Sequence, residues 1–462
     1  MRSVQFFGAG HGWPFQNFVL PKKWSSRSEP DASDGRLRIR AAASTPLRFS
    51  DLRATYIAVA IYAIVYIALD FNKLYALRYG ADLGTYLQTL VNLRHGSSWN
   101  YGEWRAHFGV HDSWVLSALV PLVALFPSAQ TLIVVQVLAV ALAAVPLALL
   151  ARELGLTARA ANVLAIAYLL SPAAQGLTYD NFSENVFVPL LALCGVLAAR
   201  RRALWWTLVV AQLLMGLKED EILFVLWFGA ACAIWWDRRI GAALVLLALL
   251  NGLGYWGFER AAGIHPNDPG YSLQIFNPAS KLTMIALLLA PFAFAPVAAG
   301  RWVLLAVPML AEILFMRPWN YEPSRLGSHY VAPLMAATAA AAAFGAATNV
   351  RFVRWMIPCA LIAMLAFNDD VLRVGRWPYV VDWSAYARAV ALRDGGGSAL
   401  IERGEEGVWA VAAANPNVRL DPHPDPHFPN CPAYDTNAAA YLASLRGRMP
   451  AQLCGGVPAN AK

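Results

Sequence analysis

The chain has 462 residues, of which 58% are hydrophobic and only 14% are charged. A soluble domain usually has about 25% charged residues, so this composition excludes an ordinary soluble protein and indicates an α-helical membrane protein. The net charge of +8 does not indicate nucleic-acid binding, because the basic residues are spread over loops and tails.

The chain divides into three parts. Residues 1–50 are rich in Ser, Pro, Arg and Lys and lack apolar periodicity, which predicts a disordered cytoplasmic tail rather than a signal peptide. Residues 51–367 contain the long apolar runs and are predicted to form a transmembrane domain. Residues 368–462 are polar and punctuated by Pro and Gly, and we expect a small extracytoplasmic module there, with a helix over 383–392 followed by a strand over 407–413.

Eleven apolar runs predict membrane-spanning helices, although several are short for a hydrocarbon core of about 30 Å. They cover roughly residues 53–70, 129–151, 158–173, 184–199, 203–217, 221–236, 240–258, 282–299, 302–316, 329–349 and 352–367. The run Trp114–Phe126 differs from these, because it contains Pro121 and stops at Pro127 after only 13 residues. We expect an interfacial or re-entrant helix there.

Basic residues predict the topology. If 114–126 does not cross the membrane, the short inner connections contain Arg152, Arg159, Arg200, Arg201, Arg202, Arg238, Arg239, Arg301, Arg351 and Arg354. The much longer outer connections contain Lys73, Arg78, Arg94, Arg105, Lys218, Arg260, Lys281, Arg317 and Arg325. Cytoplasmic loops are enriched in Lys and Arg, so we expect a cytoplasmic N-terminus, an extracytoplasmic C-terminus and a large outer loop over 71–128.

The first outer loop contains a candidate general base, Asp82. A carboxylate in a concave site can accept the proton of an attacking hydroxyl group. Alternatively, Asp82 caps the helix predicted for LGTYLQTLVNL. In the same loop, His111 could bind phosphate, orient the base or cap the helix that follows Asp112.

Further polar residues fall on the same predicted face, at the ends of later helices. Asp180 and Glu184, in YDNFSEN, would share one face of a helix. This spacing suits an acceptor or metal contact, or a charge pair at a helix N-terminus. Charged groups in membrane proteins usually face a cavity or a partner. We therefore predict one outer site that also includes Lys218, Glu219, Asp220, Arg325, His329 and Tyr330.

The LKED motif is the least ordinary of these features. Lys218, Glu219, Asp220 and Glu221 stand between two apolar helices with no loop to solvate them. Lys218 could neutralise a phosphate group, or it could pair with Glu219 or Asp220. Both alternatives remain open from the sequence.

The order of the motifs resembles a known family. ADLGTYLQTLVNLRHG, then His111, LFPSAQTLIVVQ, LSPAAQG, YDNFSEN, LKED and SHYVAPL, over roughly 55–380, resemble the bacterial membrane-protein family called domain of unknown function 2079. That family is similar to the GT-C superfamily of glycosyltransferases, polytopic membrane enzymes that use polyprenyl-phosphate-linked sugars. The resemblance implies a GT-C-like fold in the bacterial inner membrane, with Asp82 as the catalytic Asp. It assigns the other motif positions to His111, Asp180, Glu184, Lys218, Glu219, Asp220, His329 and Tyr330.

The resulting hypothesis is inverting transfer of a sugar from a polyprenyl-phosphate donor to an acceptor hydroxyl group outside the membrane. Lys218, Arg325 or His329 would stabilise the leaving phosphate. The expected partners are membrane lipid and the lipid-linked sugar, with no nucleic acid, and a divalent cation is an open option. The alternatives are a transporter or flippase, which should have broken helices and ionisable groups near the midplane, and a non-catalytic assembly protein.

In the tail, Cys431 and Cys454 could form a disulfide or remain free thiols.

Overall fold

The structure is a computed structural model, and it describes residues 49–100, 105–262, 271–317, 326, 328–367, 378–391 and 414–415. Within these ranges the chain forms sixteen α-helices. They are α1 (Arg53–Tyr75), α2 (Ala81–Leu93), α3 (Val120–Leu125), α4 (Ala129–Leu142), α5 (Ala144–Glu153), α6 (Ala158–Leu169), α7 (Pro172–Tyr179), α8 (Val188–Arg200), α9 (Leu204–Met215), α10 (Glu221–Trp235), α11 (Arg238–Ala262), α12 (Pro278–Leu289), α13 (Val307–Phe315), α14 (Ala332–Thr348), α15 (Val353–Phe367) and α16 (Trp383–Ala391).

Shorter elements complete the described part. The strands β1 (Trp99–Asn100) and β2 (Arg105–Ala106) pair antiparallel in the loop between α2 and α3. Helices of the 3-10 type precede or join several α-helices. They cover Phe49–Leu52, His107–Gly109, Trp114–Leu119, Glu184–Phe187, Ala290–Phe292, Ala295–Ala306, His329–Val331 and Val350–Phe352.

Apolar helices long enough to cross a membrane confirm the helical membrane class. Five such helical segments lie in the described residues, and a bent pair makes up to six. They are Arg53–Tyr75, Ala129–Glu153, Arg238–Ala261, Ala295–Phe315 and His329–Thr348, with the pair formed by α6 and α7. The predicted number of eleven is higher than this count, because five of the predicted spans are helices of only 12 to 15 residues, namely α8, α9, α10, α12 and α15.

Of the five candidate spans, the one that contains α14 is the most deeply buried, with 83% of its apolar window inside the protein. Its sequence is mostly alanine, and small side chains let neighbouring helices approach closely. At Gly345 the approach is closest, since a Cβ atom there would lie 1.8 Å from the carbonyl oxygen of Ala295. The segment that begins at Ala295 therefore lies directly against α14.

Two predicted helices are divided differently in the structure. The predicted helix 158–173 ends as α6 at Leu169, and Ser171 begins α7 by accepting a hydrogen bond from the amide of Ala174 at 3.2 Å. The axis bends by 49° there. The predicted helix 282–299 is also interrupted, because Ala293 and Phe294 have positive φ angles of 50° and 60°. The chain leaves the right-handed helical region at these two residues.

Both ends of the first outer loop meet on the same helix, α16. The ring of Tyr386 packs edge-on against Tyr75, at the end of α1, with a centroid distance of 5.1 Å. Gln130, at the start of α4, donates a hydrogen bond to the hydroxyl of Tyr386 at 3.1 Å. The chain therefore leaves α1 and enters α4 on one side of the domain, which is the arrangement expected if Trp114–Leu125 does not cross.

The helix predicted for residues 383–392 is present as α16. Just before it, Asn72 exchanges two hydrogen bonds with the backbone of Tyr379, at 3.0 and 2.9 Å. This segment is thereby fixed to the end of α1. The predicted strand 407–413 and the candidate disulfide between Cys431 and Cys454 lie outside the described residues.

Candidate functional site

The start of α2 is held from two sides. Gly80 donates its amide hydrogen to Oδ1 of Asn181 at 2.8 Å, and the hydroxyl of Tyr79 donates to Oδ1 of Asp70 at 2.9 Å. The N-cap residue is Gly80, so Asp82 lies within the first helical turn and is not the cap that the sequence offered as one alternative. Its carboxylate is favourably placed near the positive end of the helix dipole.

One turn along α2 from Asp82, the hydroxyl of Tyr86 donates a hydrogen bond to Oε2 of Glu184. Tyr86 is also packed edge-on against Phe182, with a centroid distance of 5.5 Å. Helix positions four apart share a face. The 181–184 segment therefore runs along the side of α2 that carries Asp82.

A histidine–carboxylate pair joins the first outer loop to the LKED motif. Nδ1 of His111 lies 3.1 Å from Oε1 of Glu219, and the amide of Asp112 donates to Oε2 at 3.4 Å. Burial lowers the pKa of His111, but the hydrogen bond with Glu219 and the charge of Glu184 raise it above its usual 6.5. Burial raises the pKa of Glu219, whereas His111 and Lys218 lower it to about 2. Each group therefore favours the charged form of the other.

Lys218 is the buried cation at the centre of the site. Its Nζ lies 3.6 Å from Oδ2 of Asp220 and 4.6 Å from the ring centroid of Tyr330. Burial alone would lower its pKa, but Asp220, Tyr330 and Glu184 raise the pKa well above its usual value. The lysine is therefore charged, and of the two sequence alternatives the ion pair with Asp220 is formed.

His329 enters the same group from the start of its 3-10 turn. The carbonyl oxygen of His329 accepts a hydrogen bond from Nδ2 of Asn185 at 3.4 Å. Its imidazole interacts electrostatically with Lys218, Glu184 and His111. Four separate segments of the chain therefore meet at one place.

The structure brings together most of the predicted site residues. The group consists of His111, Glu184, Lys218, Glu219, Asp220, His329 and Tyr330. Asp82 lies one helical turn before Tyr86, whose hydroxyl contacts Glu184. The charge of Asp180 acts on the buried Asp70 of α1. Arg325 lies outside the described residues.

Two of the alternatives that the sequence left open do not occur in the structure. Asp180 and Glu184 do not share a helix face, because α7 ends at Tyr179 and Glu184 starts a separate 3-10 turn. His111 does not cap the helix after Asp112: the N-cap is Ser113, without a side-chain capping bond. The reason is the same in both cases, because contacts with residues distant in the sequence, rather than the local helix, determine where these polar side chains lie.

The sequence analysis missed two residues, Tyr86 and Glu312. Tyr86 is buried and contacts Glu184; its position four residues after Asp82 was the available signal. Glu312 in α13 interacts electrostatically with Asp220 and accepts a hydrogen bond from the hydroxyl of Tyr271 at 3.2 Å. A lone carboxylate within an apolar run was its signal.

An apolar crevice begins beside the charged group. One end is lined by Glu221 and Pro333, which follow Lys218 and Tyr330 by three residues each. The crevice continues between α8, α9, α10 and α13 along one stripe of α14. Along α14 it is lined by Pro333, Ala336, Ala337 and Ala340.

A divalent cation lacks an evident set of ligands. Among the described residues, no group of three or more His, Cys, Asp or Glu side chains is placed to hold a metal ion. The carboxylates and histidines of the site instead contact one another and Lys218.

Comparisons with known proteins bear on the family. Residues 73–253 match the family model described as predicted membrane protein (DUF2079). The match confirms the resemblance found in the motif order, over a shorter range than 55–380, and it includes Asp82, His111, Glu184 and Lys218. A comparison with curated proteins found no match.

Proposed function

We propose that this DUF2079 segment, completed by the helices up to α14, is a membrane enzyme that transfers a sugar from a polyprenyl-phosphate donor to an acceptor hydroxyl group. The observation that carries the proposal is the meeting of Lys218, His111, Glu184 and His329 beside the α2 face of Asp82. A carboxylate on one side and the charged amine of Lys218 on the other is an arrangement that suits a displacement at a sugar carbon.

The reaction is a single displacement. The carboxylate of Asp82 accepts the proton of the acceptor hydroxyl as its oxygen forms a bond to the anomeric carbon. The bond from that carbon to the phosphate oxygen breaks, and the electron pair leaves with the lipid phosphate. Lys218 stabilises the negative charge of the leaving group once it exchanges Asp220 for the phosphate. This mechanism gives inversion at the anomeric carbon.

The apolar crevice supports a lipid-linked donor. A phosphate beside Lys218 would place the attached hydrocarbon chain at the Glu221 and Pro333 end of the crevice. The crevice encloses only about 70 Å³, so a hydrocarbon chain would enter it by separating the helices that line it. Burial of each CH₂ group in such a place stabilises the complex by about 0.8 kcal/mol, so the chain would contribute most of the donor affinity.

The experiment is donor turnover by the full-length protein in proteoliposomes. The donors are polyprenyl phosphates that carry radiolabelled hexoses or pentoses, and a detergent extract of bacterial envelope supplies acceptors. We expect label to leave the lipid phase while polyprenyl phosphate accumulates in equal amount. If the label stays in the lipid phase and no polyprenyl phosphate accumulates, the proposed function is wrong.

A second function, transport of a lipid-linked or small polar substrate, is favoured by one observation. The broken pair α6–α7 bends by 49° at Ser171 and Pro172, and interrupted helices are typical of transporters. The same proteoliposomes separate the two functions. A transporter moves labelled lipid between leaflets without cleaving the bond between sugar and phosphate.

A further inference from the structure

A second cavity lies beside Asp220, at the outer ends of α10 and α13. It is a cleft of about 500 Å³, a volume within the usual range for small-ligand sites. Its walls are Asp220, Leu223, Phe224, Tyr271, Ser272, Leu273, Pro308, Ala311, Glu312 and Phe315. One wall is therefore acidic, and the rest is mostly apolar or aromatic.

The acidic wall is only partly neutralised. Lys218 approaches Oδ2 of Asp220 at 3.6 Å, whereas Oδ1 of Asp220 is buried without a hydrogen-bond partner in the described part of the chain. Glu312 lies close enough to Asp220 for the two carboxyl groups to share a proton in a hydrogen bond, and it accepts one hydrogen bond from Tyr271. Two carboxyl groups so close together repel each other when both are ionised.

A third carboxyl group adds to this imbalance. Glu221 is only 2% exposed, and its Oε1 lacks a hydrogen-bond partner among the residues described. Its carboxyl group interacts electrostatically with those of Asp220 and Glu312. Lys218 is also close to Glu184 and Glu219, so it does not balance all of these groups. A buried polar atom without a partner is costly, and a cationic donor would remove that cost.

We propose that the cleft binds the primary ammonium group of an amphipathic molecule. Such a group has three donors, which match Oδ1 of Asp220, the carboxylate of Glu312 and the hydroxyl oxygen of Tyr271. The rings of Phe224 and Phe315 supply aromatic surface of the kind that attracts cations.

The sides of the cleft indicate an apolar tail on this ligand. Leu223 is 54% exposed and Leu273 is 94% exposed, so apolar surface continues outward from the acidic wall. A chain attached to the ammonium group would cover this surface. An aminophospholipid head group and a free amine share this chemistry. The site does not depend on the proposed sugar transfer.

The test is thermal unfolding of the full-length protein in detergent with added ligands. The probes are short-chain phosphatidylethanolamine, phosphatidylcholine with the same chains, and free ethanolamine. We expect phosphatidylethanolamine to raise the unfolding midpoint in a concentration-dependent manner, and phosphatidylcholine to raise it much less, because its quaternary group has no N–H donor. An equal effect of free ethanolamine would identify a free amine as the ligand source.

Variants of Glu312 test whether the stabilisation by phosphatidylethanolamine comes from binding in this cleft. Glu312→Gln keeps the shape and a hydrogen-bonding group, and it should weaken phosphatidylethanolamine binding roughly tenfold to a hundredfold, as expected for loss of a charged hydrogen-bond partner. Glu312→Asp should retain part of the binding. The control is Glu153→Gln, at a half-exposed carboxylate that pairs with Arg201 at 3.3 Å at the ends of α5 and α8. Equal stabilisation by both lipids, or full binding by Glu312→Gln, would overturn the proposal.

Discussion

Nδ1 of His111 lies 3.1 Å from Oε1 of Glu219, although 108 residues separate them in the chain. This pair joins the first outer loop to the turn between α9 and α10. The amide of Asp112 adds a second connection to the same carboxylate. These two contacts hold the His111–Asp112 part of the loop against the LKED motif.

The pH dependence of stability should reveal this pair. The pKa of His111 is raised above 6.5 in the folded state, so its contribution is complete below pH 6.5 and is lost as the pH rises through the folded value. The pKa of Glu219 is lowered to about 2, so its contribution is complete above pH 4.5 and is lost as the pH falls toward 2. Both contributions are present between pH 4.5 and 6.5.

We therefore expect His111→Gln to destabilise the protein by on the order of 1 kcal/mol at pH 5.5, and by less at pH 9. Unfolding midpoints of wild type and variant at the two pH values measure the difference. His95→Gln is the control, because His95 is exposed and should show no such pH dependence. An equal loss for His111→Gln at both pH values would rule out the ion pair.

Lys218→Met should destabilise the fold by about 3 kcal/mol, because it leaves buried carboxylates unpaired. Adding Asp220→Asn should recover a large part of that loss, since the second change removes one unpaired charge. Donor binding should stay weak in both variants if Lys218 contacts the phosphate. A double variant that recovers both stability and donor binding would mean that Lys218 is only a structural partner of Asp220.

Gly80→Ala should disturb the site. Its methyl group would lie 2.6 Å from Nδ2 of Asn181, so the start of α2 must shift or Asn181 must move away. We expect a loss of about 1–3 kcal/mol in the free energy of unfolding and reduced activity. Gly257→Ala is the matched control, because nothing lies within 4 Å of its added methyl group and alanine favours a helix. Similar effects of the two changes would contradict the close packing of α2 on Asn181.

Cysteine labelling tests the topology. In a cysteine-free background, an impermeant reagent added from outside should label Ser128→Cys and Ser384→Cys, but not Ala203→Cys. The reason is that α4 and α16 meet through Gln130 and Tyr386, whereas Ala203 lies in the arginine-rich turn before α9. Labelling of Ala203→Cys without Ser128→Cys would reverse the predicted topology and remove the argument for one outer site.

The sequence predicted the class of fold well, because the apolar runs are long. The sequence did not predict where the backbone interrupts or bends a helix. Nothing in the composition of residues 282–299 predicts the left-handed conformations of Ala293 and Phe294. The helix predicted for 158–173 likewise continues in sequence through Ser171, where the structure bends.

The site was predicted in part for a similar reason. Charges between apolar helices, as in LKED, must find partners, and Glu219 and Lys218 do so. The identity of each partner depends on contacts distant in sequence. His111 could therefore be placed in the site, but its pairing with Glu219 could not be predicted. The role of Tyr86 was not predicted, because an uncharged tyrosine within a helix does not by itself indicate a site residue.

Sugar transfer by Asp82→Asn tests the central claim most directly. Asn keeps the size of Asp and its favourable position in a first helical turn, so the variant should fold and insert like wild type. Loss of a general base should lower the rate of transfer from a polyprenyl-phosphate donor by roughly 10²–10⁴-fold. Unfolding midpoints of the two proteins serve as the control. A folded variant that transfers sugar at the wild-type rate would contradict the assignment of Asp82 as the base.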